Sequence, residues 1–126
     1  MERRITAHAV GHDNSLIVRA HGEPNAAGAA NRYLITQDPR QLPLGMSAVL
    51  CDIRFQHGQS PQQGINGVTI EALLAVCADR LAGFQEGPFA CVENAHALAF
   101  IMGAIEELHN RTRSRMARGV AGTQTP

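Results

Sequence analysis

The fold is decided by residues 64–119, which read GINGVTIEALLAVCADRLAGFQ (64–85), EGP (86–88) and FACVENAHALAFIMGAIEELHNRTRSRMARG (89–119). In the first segment Ile70, Leu74, Cys77, Leu81 and Phe84 follow one another at intervals of 4, 3, 4 and 3. In the last, Leu98, Ile101, Ile105 and Leu108 follow at 3, 4 and 3. Such spacing keeps one face of an α-helix apolar. Between the two runs, Gly87 suits a left-handed C-cap and Pro88 cannot continue a helix. A link this short between two apolar-faced helices makes an antiparallel hairpin. Asn66 or Thr69 can cap the first helix, with Glu71 in its first turn. The second helix starts near Cys91, with Glu93 in its first turn, and Gly119 ends it.

The arms are unequal. At about 1.5 Å per residue the first is roughly 30 Å long and the second roughly 40 Å, so the second overshoots by about two turns. That overhang, residues 110–118, reads NRTRSRMAR and holds four arginines. A two-helix hairpin closes no core of its own, so its apolar face needs a cover. The second helix is also rich in small and apolar residues around Phe100 to Ala104, and Ala95, Ala97, Ala99 and Gly103 permit close approach of another backbone. The expectation is a homo-oligomer, a dimer or higher, with this helix at the interface.

The upstream half supplies a covering layer. Leu16-Ile17-Val18, Arg32-Tyr33-Leu34-Ile35 and AVLCDIRFQ (48–56) are β-prone, and in the last of these Cys51, Ile53 and Phe55 alternate with Asp52, Arg54 and Gln56. Period-two alternation marks a half-buried strand. A weaker first strand is expected near Ile5–Val10. Glycine, proline and asparagine clusters at 22–25, 37–46 and 57–64 break the runs. Strands followed by helices give an α+β domain with a small antiparallel sheet ahead of the hairpin. One domain is expected: a β region over 1–63, the hairpin over 64–119 and a loose tail over 120–126.

Composition narrows the function. The 126 residues suffice for one modest core, and 44% hydrophobic content argues against global disorder. Formal net charge is zero, which disfavours a general nucleic-acid coat. All eleven basic residues are arginine; this reflects either genomic base composition or use of the bidentate guanidinium fork for phosphate. No apolar run reaches the roughly 18 residues of a membrane span. Cys51, Cys77 and Cys91 have no C-x-x-C spacing and read as free thiols of a reducing cytoplasm. The six histidines form no H-x-x-x-H pair, so no metal site is expected, and the glycine-rich loop at 21–32 lacks the phosphate-cradle and dinucleotide spacings. No cofactor is implied.

Two features can carry binding. Arg111, Arg115 and Arg118 share one helical stripe, while Arg113 points elsewhere. They suit phosphate oxygens, or else complement the C-terminal end of the helix dipole. At the hairpin tip, Phe84 and Phe89 flank the turn with Asn94 one turn into the second helix. They either hold a nucleobase by stacking and hydrogen bonding or plug the core beneath the turn. Cys91 sits at a helix N-terminus, but no local base or orienting group makes it a nucleophile. No catalytic residue is expected.

NGVTIEALLAVCADRL (66–81), GFQEGPFACVENAHAL (83–98) and LHNRTRSRMARGVAGT (108–123) resemble the helical hairpin of the phage anti-defense sponges. NSLIVRAHGEPNAAGAANRYLI and IRFQHG are similar to the β region of the Thoeris type. The hairpin itself is shared with the anti-CBASS cyclic-nucleotide sponges. The resemblance implies a cytoplasmic protein of the bacterial host that binds cyclic ADP-ribose isomers and sequesters them without degradation. It also implies oligomers up to a hexamer and, in some members, cyclic oligonucleotides in a separate pocket. By the same resemblance Phe84 stacks on the adenine and Asn94 hydrogen-bonds nearby. Arg111 and Arg115 meet phosphate oxygens, and Arg32 and Arg54 contribute from the β region. Cys91-Val92-Glu93-Asn94 stands where Cys-Arg-Glu-Asn is expected. Ala99-Phe100-Ile101-Met102-Gly103 stands where Thr-Lys-Leu-Glu-Glu is expected. These departures make the second helix more apolar, as a larger helix–helix interface would. Two other readings remain: an enzyme cleaving such a nucleotide, and an oligomeric nucleic-acid-binding module using residues 111–118.

Overall fold

A computed structural model of the chain describes residues 2–9, 16–38, 48–58 and 64–119. The tail expected at 120–126 and most of the breaker at 37–46 lie outside the described residues. The rest is α+β: four strands, then two helices. Two compact units are present, Met1–Gly67 and Val68–Pro126.

The first unit is a meander. Strands β1 (Glu2–Ile5), β2 (Leu16–His21), β3 (Arg32–Gln37) and β4 (Val49–Arg54) pair in the order β1-β2-β3-β4, each antiparallel to its neighbour. The three later strands fall where the β-prone runs placed them. The first is earlier than the expected Ile5–Val10. Its register runs from Glu2↔His21 to Ile5↔Val18, and the Ala9 N–H already bonds Thr6 O at 3.0 Å in a turn. Propensity missed it because Glu2-Arg3-Arg4 is poor strand material by composition. Cross-strand pairing compensates, and Glu2 Oε1 lies 2.8 Å from His21 Nε2. Between β3 and β4 the register shifts from Ile35↔Cys51 to Thr36↔Val49, so Leu50 is an extra, exposed residue in a bulge.

Directly opposed residues share a face, and so do residues two apart. Val18, Ala20, Tyr33, Ile35 and Ile53 therefore make one mainly apolar face, with Arg3 at its β1 edge. Glu2, Arg4, Arg19, His21, Arg32, Asp52 and Arg54 charge the other face, which also carries Leu34 and the buried Ile17. Tyr33 meets Phe55 edge-to-face, with centroids 5.7 Å apart.

One end of the sheet is tied by side-chain amides. Asn25 Oδ1 accepts from the N–H groups of Ala27 (2.9 Å) and Ala29 (3.0 Å), which fixes its orientation. Its Nδ2 then donates to Asn31 Oδ1 at 3.2 Å, and the Asn31 Nδ2 faces His57 Nδ1 at 2.6 Å. The chain beyond β4 returns alongside it. Gln56 bonds Gly64 O (2.8 Å) and the Asn66 N–H (3.1 Å), while the Asn66 amide accepts from the His57 N–H and donates to His57 O, both at 2.8 Å. A Cβ on Gly67 would run into the Phe55 backbone, so this crossing requires glycine.

The second unit is the hairpin: α1 (Ile70–Gln85) and α2 (Val92–Ala117). Thr69 is the N-cap of α1, its Oγ1 accepting from the Ala72 N–H at 3.1 Å. Asn66, the alternative cap, is committed to His57 instead. Gly87 does not take the left-handed conformation expected of it, since among the described residues the positive-φ glycines are Gly22, Gly28, Gly58, Gly64 and Gly119. The first helix closes on Glu86 in a right-handed conformation, its N–H reaching Ala82 O and Gly83 O, with the Gly87 N–H on Phe84 O. Gly119 does end α2 with φ +73°.

The apolar stripe of α1 is rotated from the expected one. Ala78 is buried and Leu74, Leu81, Ala82 and Gln85 are half-buried, whereas Ile70, Cys77 and Phe84 are exposed. The small Ala78 lets the helices approach, and this outweighs the larger residues one position away. On α2 the stripe is as expected: Leu98, Ile101, Ile105 and Leu108 are all half-buried. With 16 residues in α1 and 26 in α2, the overhang is about 15 Å, nearer three turns than two.

Candidate ligand-binding site

The hairpin tip is braced by one side chain. Gln85 Oε1 accepts from the Cys91 N–H at 3.0 Å, and its Nε2 donates to Cys91 O at 3.1 Å. Both backbone groups of Cys91 are thereby satisfied across the turn. Cys91 is held extended, φ −155° and ψ 165°, and acts as the N-cap of α2, its Sγ accepting from the Asn94 N–H at 3.4 Å. The sequence marks Cys91 as a helix-start residue but gives no sign of the Gln85 brace, which depends on the turn's three-dimensional closure.

Phe84 and Asn94 ride on this braced tip. Phe84 is 38% exposed and Phe89 76% exposed, so neither is a plug beneath the turn. The Arg80 guanidinium lies 5.2 Å from the Phe84 ring centroid, a cation–π contact one helical turn away. Its i,i+4 spacing was the available signal. Asn94 is half-buried, and its Nδ2 donates to Phe89 O at 3.4 Å. That contact leaves the Asn94 Oδ1 available as an acceptor.

The other end of α2 carries the arginines. Arg113 is bound to Glu106 Oε1 (2.6 Å) and Asn110 Oδ1 (3.0 Å), off the stripe as the spacing requires. Arg111 is exposed and has no acidic partner among the described residues; Arg115 is half-buried in the last turn. Asn94 and Arg111 lie 17 residues apart on one helix, about 25 Å along its axis. Within one chain the tip and the arginine stripe are therefore separate.

Arg32 and Arg54 are brought together on the charged face of the sheet, but around a carboxylate. Arg32 Nε and Nη2 grip the two Asp52 oxygens at 3.0 Å each, and Arg54 Nη2 lies 3.4 Å from Oδ2. The Arg32 hydrogen bonds, helped by Arg54, hold the Asp52 carboxyl below its usual pKa, and Asp52 raises that of Arg32. Both arginines are thus partly neutralised within the sheet. A shallow cavity on the sheet unit, lined by Arg3, Ala20, Gly22, Pro24, Gly28 and Ala30, measures about 130 Å³. Ligand pockets usually run to about 300 Å³ or more.

Among the described residues no group of histidine, cysteine or acidic side chains is placed to hold a metal ion, and no helix is long and apolar enough to cross a membrane. The three cysteines are free and exposed.

Residues 47–101 match the family model of the Acb2/Tad1 hairpin domain. The match takes in β4, all of α1, the tip and the first part of α2, and stops short of the arginine overhang. Over 74 residues the chain is 42% identical to the protein named Thoeris anti-defense 1 of Bacillus phage SBSphiJ7. That alignment covers 59% of this chain and 52% of the relative, so the chain spans about half the length of the curated relative it matches.

Proposed function

We propose, from the likeness of residues 47–101 to the Acb2/Tad1 hairpin domain and of 74 residues to Thoeris anti-defense 1, that the chain is an anti-defense sponge. It binds a cyclic ADP-ribose isomer, or a related cyclic nucleotide signal, and sequesters it intact in the cytoplasm of the bacterial host. The observation that carries this reading is the hairpin itself: partly exposed aromatic rings and the Asn94 amide at one end, and an arginine stripe suited to phosphate at the other. Phe84 stacks on the base, Asn94 hydrogen-bonds beside it, and Arg111 and Arg115 take the phosphate oxygens. Arg32 and Arg54 are weaker candidates, because Asp52 already occupies them.

One ligand of dinucleotide size cannot bridge about 25 Å of helix. For all four residues to serve one ligand, tip and stripe must come from different chains. Antiparallel pairing about a two-fold axis brings the tip of one hairpin to the overhang of its partner and generates two equivalent pockets. The second helix favours such pairing, since Phe100 is 77% exposed and Met102 51%, next to Gly103, where an added Cβ meets nothing within 4 Å.

The test is a panel of cyclic ADP-ribose isomers and cyclic dinucleotides, titrated calorimetrically into wild-type, Asn94→Ala and Arg111→Ala proteins. The sponge reading expects tight binding of one class, weakened in both variants. It also expects mixed oligomers of the two variants, after subunit exchange, to regain one intact pocket. Tight binding unaffected by either substitution, or no binding across the panel, overturns the site. Unrecovered binding on mixing overturns only the shared pocket.

A further inference from the structure

The charged face of the sheet contains an unbalanced pair that the hairpin-based function does not use. Two rows cross that face: Glu2, His21, Arg32 and Arg54, then Arg4, Arg19, Leu34 and Asp52. Its acids are both committed, Glu2 to His21 at 2.8 Å and Asp52 to Arg32 and Arg54. Arg4 and Arg19 stand directly opposite one another on β1 and β2, with no acidic partner among the described residues. Side chains opposed in this way have Cβ atoms about 5 Å apart, and like charges there are destabilising. The ladder holds the two Cβ positions side by side, so the arginines must spread their flexible side chains or share an anion.

We infer that Arg4 and Arg19 form an oxyanion site for a phosphate-bearing small molecule at the β1 edge of that face, where Arg4 is exposed and Arg19 half-buried. Each guanidinium presents a planar fork of donors that matches two oxygens. Two adjacent forks ask for more acceptors than one carboxylate has. A phosphate or pyrophosphate group supplies enough, and its negative charge cancels the repulsion between the pair. The zero net charge of the chain favours a small anion over a nucleic-acid backbone, which needs an extended basic track.

The probe is inorganic pyrophosphate at matched ionic strength, with sodium chloride as the control, read by thermal unfolding and by calorimetry. Wild-type protein gains stability with pyrophosphate by mass action. Arg4→Glu places an acid opposite Arg19. Without pyrophosphate it melts higher than wild type, and with pyrophosphate it shows no further rise. Arg19→Gln weakens pyrophosphate binding about ten-fold or more, the scale of a lost charged hydrogen bond, and serves if Arg4→Glu does not fold. Arg111→Ala with Arg115→Ala removes the phosphate binding assigned to the hairpin stripe and retains the sheet's share of the pyrophosphate effect, so the sheet variants are made in that background. No stabilisation of wild type at millimolar pyrophosphate overturns the site. So does an effect that survives both sheet variants in that background, or one that is lost entirely in the Arg111→Ala, Arg115→Ala protein.

Discussion

Gln85 makes the most quantitative case for how the tip is held. Replacing it with alanine removes two hydrogen bonds, 3.0 and 3.1 Å long, to the backbone of Cys91. Each contributes about 1 kcal/mol net, at the lower end here because water can reach the freed groups. Alanine also recovers side-chain entropy, and it is the better helix former by a few tenths of a kcal/mol. The balance is a loss of about 1–1.5 kcal/mol, or roughly 4–8 °C in melting temperature for a chain of this size. Urea and thermal denaturation followed by far-UV circular dichroism measure it. Gln85→Met keeps the volume and loses both hydrogen bonds, so it should fall as far as alanine. Gln85→Glu keeps the acceptor for the Cys91 N–H but, when ionised, sets a carboxylate against Cys91 O. Only its protonated form can donate, so the folded state raises its pKa. Its stability is then present at acid pH and lost as pH rises through the folded value. The reasoning is refuted if Gln85→Ala matches wild type, or if methionine restores what alanine loses.

Three further substitutions bear on the rest of the account. Arg111→Ala should weaken ligand binding by about 1.5–3 kcal/mol, with lysine rescuing only in part, while Arg113→Ala should change it little; equal losses at both would contradict the stripe. Gly67→Ala should destabilise the sheet unit by about 1–3 kcal/mol, because its Cβ meets the Phe55 backbone rather than a yielding side chain; a wild-type denaturation midpoint would show that the crossing relaxes freely. The depressed pKa of Asp52 means that its contribution is present above the ordinary carboxylate value, about 3.9, and is lost as pH falls below that through the folded value. Asp52→Asn should therefore flatten the acid limb of the stability curve, and an unchanged limb would remove Asp52 from it.

The hairpin was legible because its signals are local. Thr69, Cys91 and Gly119 mark helix ends by residue type, and Leu98 to Leu108 mark a face by spacing. The stripe of α1 was less so, because hydrophobicity pointed to Cys77 and Phe84 while close packing selected Ala78. Gly87 misled for a related reason: glycine permits a left-handed cap but does not require one. Strand β1 was obscured by its charges, of which Glu2 finds its partner, His21, on β2. The same holds at the candidate site. Phe84, Asn94, Arg111 and Arg115 could be named from spacing and resemblance, whereas the Gln85 brace, the Arg80 contact and the capture of Arg32 and Arg54 by Asp52 arise only once the chain has folded.

The central claim is that the protein holds a cyclic nucleotide signal and does not consume it. Wild-type protein is saturated with the cyclic ADP-ribose isomer that binds best in the panel, incubated for hours, and then heat-denatured, and the released material is quantified by chromatography with mass detection. The account predicts stoichiometric recovery of the intact cyclic compound. A linear or hydrolysed product accumulating with time would contradict it and make the protein an enzyme.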